Sequence, residues 1–130
     1  MATLPETLPS FTKLLIRDQR RAAALYTALG FETLFRDEVF LHLRFAPGAE
    51  LYLVTAPPNA PLPEPRGAGV LVCFAVGAGV SLDALAEQAR EVGAPVQGPS
   101  DQPWNTRELI VTDPEGYRIN FVQPLGAGPG

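Results

Sequence analysis

Apolar and polar residues follow two rhythms along this chain, and the same order of rhythms occurs twice. FTKLLIR, residues 11 to 17, alternates with the period of a strand; RRAAALYTALG then shifts to helical spacing, with Ala22, Leu25, Tyr26 and Leu29 on one face. Asp18 stands where an N-cap belongs and Gly30 where a helix stops, so the spacing predicts a helix over about 19–29. Strand patterns return around 32–36, in EVFLHLRF (38–45) and in ELYLVTA (50–56), with the turn APG (46–48) between the last two. The first half therefore reads β-α-β-β-β.

Residues 57–69, PPNAPLPEPRGAG, hold five of the chain's 14 prolines and read as an extended, exposed connector. Beyond it the order repeats. VLVCFAV (70–76) is a strand, Ser81 an N-cap, and LDALAEQAREVG a helix from 82 to Gly93. A short strand near 95–97, the loop GPSDQPWN, the strand TRELIVT (106–112), the turn DPEG and the strand YRINFVQ (117–123) complete it. In the DPEG turn Pro114 fixes φ, the Asp113 side chain can bond the backbone ahead, and Gly116 accepts positive φ.

The predicted fold is α+β: one domain over 1–130, with module 1 at about 10–56, the connector at 57–69 and module 2 at about 70–124. Each βαβββ module forms a mixed sheet covered by a helix on one face and open on the other, where it lines a cavity between the modules. Period-two alternation assigns the faces. Phe11, Lys13 and Leu15 are expected on the open face, with Leu14 and Ile16 toward the helix. Phe40, His42 and Arg44 are expected on the open face over a covered row of Val39, Leu41 and Leu43; Leu51, Leu53, Leu71, Cys73 and Ala75 are also expected to be open. On the last strand Ile119 and Phe121 face one way, Arg118, Asn120 and Val122 the other.

Composition narrows the function classes. A net charge of −4 and a pI near 4.9 argue against a nucleic-acid partner. Apolar runs are strand-length, short of the ~20 residues that span a bilayer, and MATLPETLPS has neither a basic nor an apolar leader region, so the expectation is a cytoplasmic protein without membrane contact. The single cysteine, Cys73, excludes an intrachain disulfide and a Cys-rich metal site; within VLVCFAV it reads as a buried, inert thiol. His42, the one imidazole, has no carboxylate at a spacing that would orient it for proton transfer. Arg107 and Arg118 can orient an anionic group or pair with Glu108 and Glu115 at the surface.

Three segments in order, IRDQRRAAALYTALGFE (16–32), QPWNTREL (102–109) and DPEGYRINFVQP (113–124), give the chain a resemblance to the vicinal oxygen chelate superfamily over roughly residues 11–124. That superfamily includes glyoxalase I, extradiol dioxygenases, fosfomycin-resistance enzymes and bleomycin-resistance proteins. The resemblance implies four metal-ligand positions, one on each of four strands, and matching the segments places them at Phe11, Leu53, Leu71 and Asn120. Phe and Leu offer no lone pairs and one neutral amide holds no cation, so no metal and no cofactor are expected.

The leading expectation is a metal-independent, non-catalytic small-molecule binder similar to bleomycin-resistance proteins. Its ligand would be planar and partly apolar, with a weak preference for cations from the net charge. Phe11, Lys13, Phe40, His42, Leu53, Leu71, Cys73, Trp104, Arg107, Arg118 and Asn120 are the candidate ligand-binding residues. The resemblance also implies a homodimer with its cavities at the subunit interface. Two alternatives stay open: a metal-dependent lyase, isomerase or dioxygenase whose ligands lie elsewhere, and a regulatory or structural relative without a small ligand.

Overall fold

The computed structural model describes residues 3, 4, 6 and 10–126. The elements run β1 (Thr12–Ile16), α1 (Gln19–Ala28), β2 (Glu32–Arg36), β3 (Phe40–Ala46), β4 (Ala49–Thr55), β5 (Leu71–Ala75), α2 (Leu82–Glu91), β6 (Val96–Gln102), β7 (Thr106–Thr112) and β8 (Arg118–Pro124). They form two four-stranded sheets, β1-β4-β3-β2 and β5-β8-β7-β6. In each sheet the first strand runs parallel to the fourth and the other pairs are antiparallel, so the two βαβββ modules share one topology.

Local chemistry sets the helix limits. The Asp18 side chain accepts from the Arg21 N–H at 3.1 Å and Ser81 Oγ from Ala84 N–H at 3.1 Å, each satisfying an orphan donor of a first turn. Gly30, at φ 94°, turns the chain out of α1 in a conformation that favours glycine. The DPEG turn closes as its residues predict: Asp113 Oδ1 accepts from the N–H groups of Glu115 (2.9 Å) and Tyr117 (2.8 Å), and Gly116 takes φ 97°.

One continuous core joins both modules. Leu14, Ile16, Leu41 and Leu43 from the first sheet, and Val72, Leu109, Val111 and Ile119 from the second, are buried with the inner faces of α1 and α2. Phe31 meets Phe74 at 5.8 Å and Phe45 meets Phe121 at 5.3 Å across the boundary. Polar ties reinforce it: Tyr26 donates to Asp113 Oδ2 at 2.7 Å, Tyr117 donates to the Leu15 carbonyl at 2.7 Å, and Glu115 accepts from the N–H groups of Arg17 and Asp18 at 2.8 and 2.9 Å.

Four sequence expectations are corrected. Leu51 and Leu53 lie in the core, because Leu53 is the register partner of both Leu14 and Leu41, and direct cross-strand neighbours share a face. A one-residue shift of assignment moves a whole strand's side chains to the other face; Glu50, Tyr52 and Val54 take the open side. Val39 precedes β3 and is exposed instead of lying under a helix. β6 extends to Gln102, carried past Gly98-Pro99 by a register irregularity, where a loop was expected. The connector is tied down: Arg17 donates to the Pro57 and Pro58 carbonyls at 2.9 and 3.3 Å and to the Ala60 carbonyl, while Arg66 meets Glu115 at 2.7 Å. Gly67 is buried against the backbone of Gly116 and Tyr117.

Candidate ligand-binding site

The open face of module 2 is built on β5, β8, β7 and β6. Asn120 stands on β8 between Cys73 of β5 and Ile110 of β7. It is 4% exposed, and its Nδ2 donates to Glu108 Oε1 at 3.0 Å. The other carboxylate oxygen of Glu108 accepts from Thr106 Oγ1 at 2.6 Å and from the Trp104 indole N–H at 2.7 Å. These bonds, from Thr106 first and then Asn120 and Trp104, hold the Glu108 carboxyl below its usual range. An ionised carboxylate only accepts, so it also fixes the Asn120 amide with its NH₂ toward Glu108; Asn120 Oδ1 is left buried with no partner.

Trp104 lies in the β6–β7 turn. Asn105 closes that turn at φ 69°, which asparagine tolerates better than most residues, donating its N–H to the Gln102 carbonyl. A pocket of about 220 Å³ results, with Leu71, Trp104 and Ile110 as apolar walls, Gln97, Ser100 and Gln102 around them, and Glu108 and Asn120 as polar points. Every lining residue comes from module 2, which corrects the expectation that the ligand cavity lies between the modules: the two helices and the inner sheet faces fill that space as core.

Module 1 repeats the frame with other chemistry. Lys13 and His42 are the register partners of Tyr52 from its two sides. The His42 ring stacks on Tyr52 at 4.1 Å and 10°, and the exposed Phe11 ring packs on Tyr52 at 4.7 Å. His42 Nε2 lies 2.6 Å from Glu50 Oε1, which corrects the expectation that no carboxylate orients this imidazole. The hairpin register makes Glu50 the diagonal neighbour of His42 across β3 and β4.

Residues 8–121 match the Glyoxalase/Bleomycin resistance protein/Dioxygenase superfamily. The chain belongs to this superfamily. Among solved structures it is similar to a bleomycin-binding protein complexed with bleomycin, at 24% identity over 90% of this chain and 98% of that one, TM-score 0.69. It is also similar to TnmS3, an antibiotic binding protein from Streptomyces sp. CB03234, at 25% identity over 94% and 99%, TM-score 0.69. A glyoxylase/bleomycin resistance protein/dioxygenase domain from Frankia sp. EAN1pec shares 21% identity over 97% and 96%, with a TM-score of 0.75. No curated protein matches the sequence.

Within the superfamily frame, the donor set does not suit a divalent ion. The open-face residues on β1, β4, β5 and β8 include Lys13, Tyr52, Cys73 and Asn120, an ammonium, a phenol, a thiol and an amide. His42 and Glu50 are engaged with each other, and among the described residues no three His, Cys, Asp or Glu side chains cluster as ligands. The arrangement offers hydrogen bonds, stacking and one fixed negative charge.

Of the candidates read from sequence, Leu71, Trp104 and Asn120 converge on the pocket. Cys73 lies beside them opposite Asn120, exposed instead of buried. Arg118 is the register partner of Leu71 on the same stretch of sheet. Phe11, Lys13, Phe40 and His42 belong to the other module's open face and do not line this pocket. Leu53 is withdrawn into the core. Arg107 reaches Asp101 at 3.0 Å and Asp83, in the first turn of α2, at 3.6 Å, which takes it to the helix side. Glu108, Glu50 and Tyr52 were missed. Glu108 had a legible signal: Leu109 and Val111 point inward, so Glu108 must point outward, beside Asn120.

Proposed function

We propose that this protein binds and sequesters a planar, partly apolar small molecule, without catalysis, in the Trp104–Asn120 pocket. The observation that carries the reading is the fixed aromatic wall: the Trp104 ring is 64% exposed yet pinned through its N–H to Glu108, beside apolar walls that already exist without ligand. The bleomycin complex and the antibiotic binding protein among its structural neighbours support a ligand of that kind. In this reading the protein works in the cytoplasm, with neither nucleic acid nor membrane as partner; no described helix is long and apolar enough to cross a bilayer.

The reading includes a homodimer. One chain leaves Phe11 55%, Phe40 41% and Leu71 44% exposed on its open faces, and its pocket has walls from one module only. A second copy laying its module 1 over this pocket would add Phe11, Lys13, Phe40 and His42 to the site. A monomeric mass by light scattering at micromolar concentration overturns this part.

The binding test is a thermal-shift screen of aromatic and glycopeptide antibiotics, bleomycin among them, with and without divalent metal. A ligand at a hundred times its Kd stabilises by about 2.7 kcal/mol. Stabilisation by an aromatic compound that Trp104→Ala abolishes is the expected result. Stabilisation by metal alone, or binding indifferent to Trp104→Ala, refutes the assignment.

A further inference from the structure

A second cavity, about 440 Å³, opens away from both sheet faces, on the helix side where the modules meet. Module 1 gives it Arg21, Ala24 and Leu25, which at i, i+3 and i+4 share one face of α1. Module 2 gives it Val92 and Pro95 from the α2–β6 link and Pro114 from the β7–β8 turn. Small residues keep the space open. Gly93, at φ 81°, turns the chain out of α2 without a Cβ, and Ala24 and Ala94 stand on either side with no more than a methyl each. The volume falls within the ~300–1,000 Å³ usual for small-molecule sites.

Burial shows which walls a ligand can reach. Leu25 and Asp113, each 3% exposed, close the floor, whereas Ala24, Pro95 and Pro114 are exposed and Val92 is 50% exposed. The accessible walls are therefore aliphatic, and no aromatic ring lines the cleft. Asp113 has nothing to offer a ligand: its Oδ1 accepts from the N–H groups of Glu115 and Tyr117, and its Oδ2 from the Tyr26 hydroxyl. Arg21 is the opposite case. It is exposed, and its guanidinium enters no ion pair among the described residues.

We propose that this cleft is a second binding site, for a small aliphatic carboxylate: the head group pairs with Arg21, and the hydrocarbon body lies along Ala24, Val92, Pro95 and Pro114. A cation in the same pose meets Arg21 as a like charge, and a neutral chain gains the apolar contact alone. Because the walls come from both modules, the occupant fastens one to the other. It does so independently of the Trp104 pocket, with which the cleft shares no lining residue.

Octanoate, octanol and octylamine carry one chain under three head groups, and butyrate carries the octanoate head on a shorter chain. In titrations of the ¹⁵N-labelled protein the amides of Ala24, Gly93 and Ala94 report on the cleft, and the single tryptophan's indole N–H reports on the other pocket. Octanoate is expected to shift the cleft amides saturably, to leave the indole in place, and to bind about fivefold tighter than octanol, the most that a solvent-exposed ion pair usually contributes. Octylamine should bind more weakly than octanol. Butyrate, with its shorter apolar body, should bind more than about tenfold more weakly than octanoate. Arg21→Gln should bring octanoate down to the affinity of octanol, and Ala24→Phe, which fills the cleft, should abolish the binding of both.

Shifts at the indole in place of the cleft amides, octylamine binding as tightly as octanoate, an octanoate preference unchanged in Arg21→Gln, or no saturable shift with any of the four compounds overturns the proposal. The wild-type series decides head group and chain length even if a variant fails to fold.

Discussion

Glu115 is a buried carboxylate of module 2 tied to the backbone of module 1 and to the connector, and its removal should be felt in both modules. The residue is 5% exposed; its oxygens accept from two backbone N–H groups at the β1–α1 junction and meet Arg66, itself 9% exposed, at 2.7 Å. Glu115→Ala strands the two N–H donors and leaves Arg66 with only the exposed Glu64, 2.8 Å away. Breaking a buried pair by removing one partner costs about 3–5 kcal/mol, and Glu64 holds the ionic part near the low end while each stranded donor adds ~1 kcal/mol. A loss of roughly 5 kcal/mol is a large share of the ~5–15 kcal/mol that holds a domain folded, and at about 4 °C per kcal/mol it lowers Tm by ~20 °C. Urea denaturation followed by far-UV circular dichroism measures it. Arg66→Ala and the double variant close a thermodynamic cycle in which the double variant should lose at least ~1.5 kcal/mol less than the two single losses combined. If Glu115→Ala costs under ~1 kcal/mol, or the two losses simply add, the clamp is not what fastens the turn to module 1.

Three further predictions rest on separate features. Burial pushes the Asp113 carboxyl above the ordinary 3.8, against hydrogen bonds from Tyr26 and from the backbone of Tyr117 and Glu115. The folded state thus holds this proton more tightly than the unfolded state, so the contribution is complete below 3.8 and is lost as pH rises through the raised value. The stability difference between wild type and Asp113→Asn should therefore drift in the variant's favour from pH 3.8 upward, and a drift the other way in urea titrations refutes it. Gly67→Ala drives a Cβ onto the Gly116 carbonyl oxygen and to 2.8 Å from Tyr117 Cα; the backbone cannot yield cheaply, and a loss of about 1–3 kcal/mol is expected in the urea midpoint. Ser81→Ala removes the acceptor of the Ala84 N–H and should cost ~1 kcal/mol by the same assay, with α2 exchanging amide protons faster.

What the sequence disclosed and what it hid follow from the range of the forces involved. Local signals carried the framework: Asp18 and Ser81 cap the helices, and the order of strand and helix rhythms maps onto both modules. The face of β4 failed because Glu50-Leu51-Tyr52-Leu53-Val54 alternates between residue classes that all tolerate partial burial, and the decision lies in its register with Leu14 and Leu41. Composition likewise hid the fastening of the connector. Five prolines imply an extended chain, but Arg17 gathers the carbonyls of Pro57, Pro58 and Ala60, and that depends on where β1 ends. Trp104 and Asn120, which both line the pocket, were singled out on different grounds: the resembling segment alone for Trp104, and strand parity together with the resembling hairpin for Asn120. Glu108 was read only as one possible surface partner of Arg107 or Arg118, since nothing local says that Arg107 turns toward α2.

The two modules differ most where their frames coincide. Each open face carries a carboxylate diagonal to a polar residue on the neighbouring strand: Glu50 to His42 in module 1, Glu108 to Asn120 in module 2. In module 1 the neighbour is an imidazole that can itself carry the opposing charge, and Tyr52 stacks on it, so the group is paired within the chain. In module 2 the neighbour is an amide, which donates one bond, takes no charge and retains an acceptor of its own. A duplicated scaffold so built has one self-contained face and one that is incomplete in charge and in hydrogen bonding. The incomplete face is also the one with the pocket and the fixed indole. Beside Glu108, whose hydrogen-bond partners are all neutral, the Asn120 amide keeps its own oxygen unpartnered, so the polar group of module 2 is not closed within the chain as that of module 1 is.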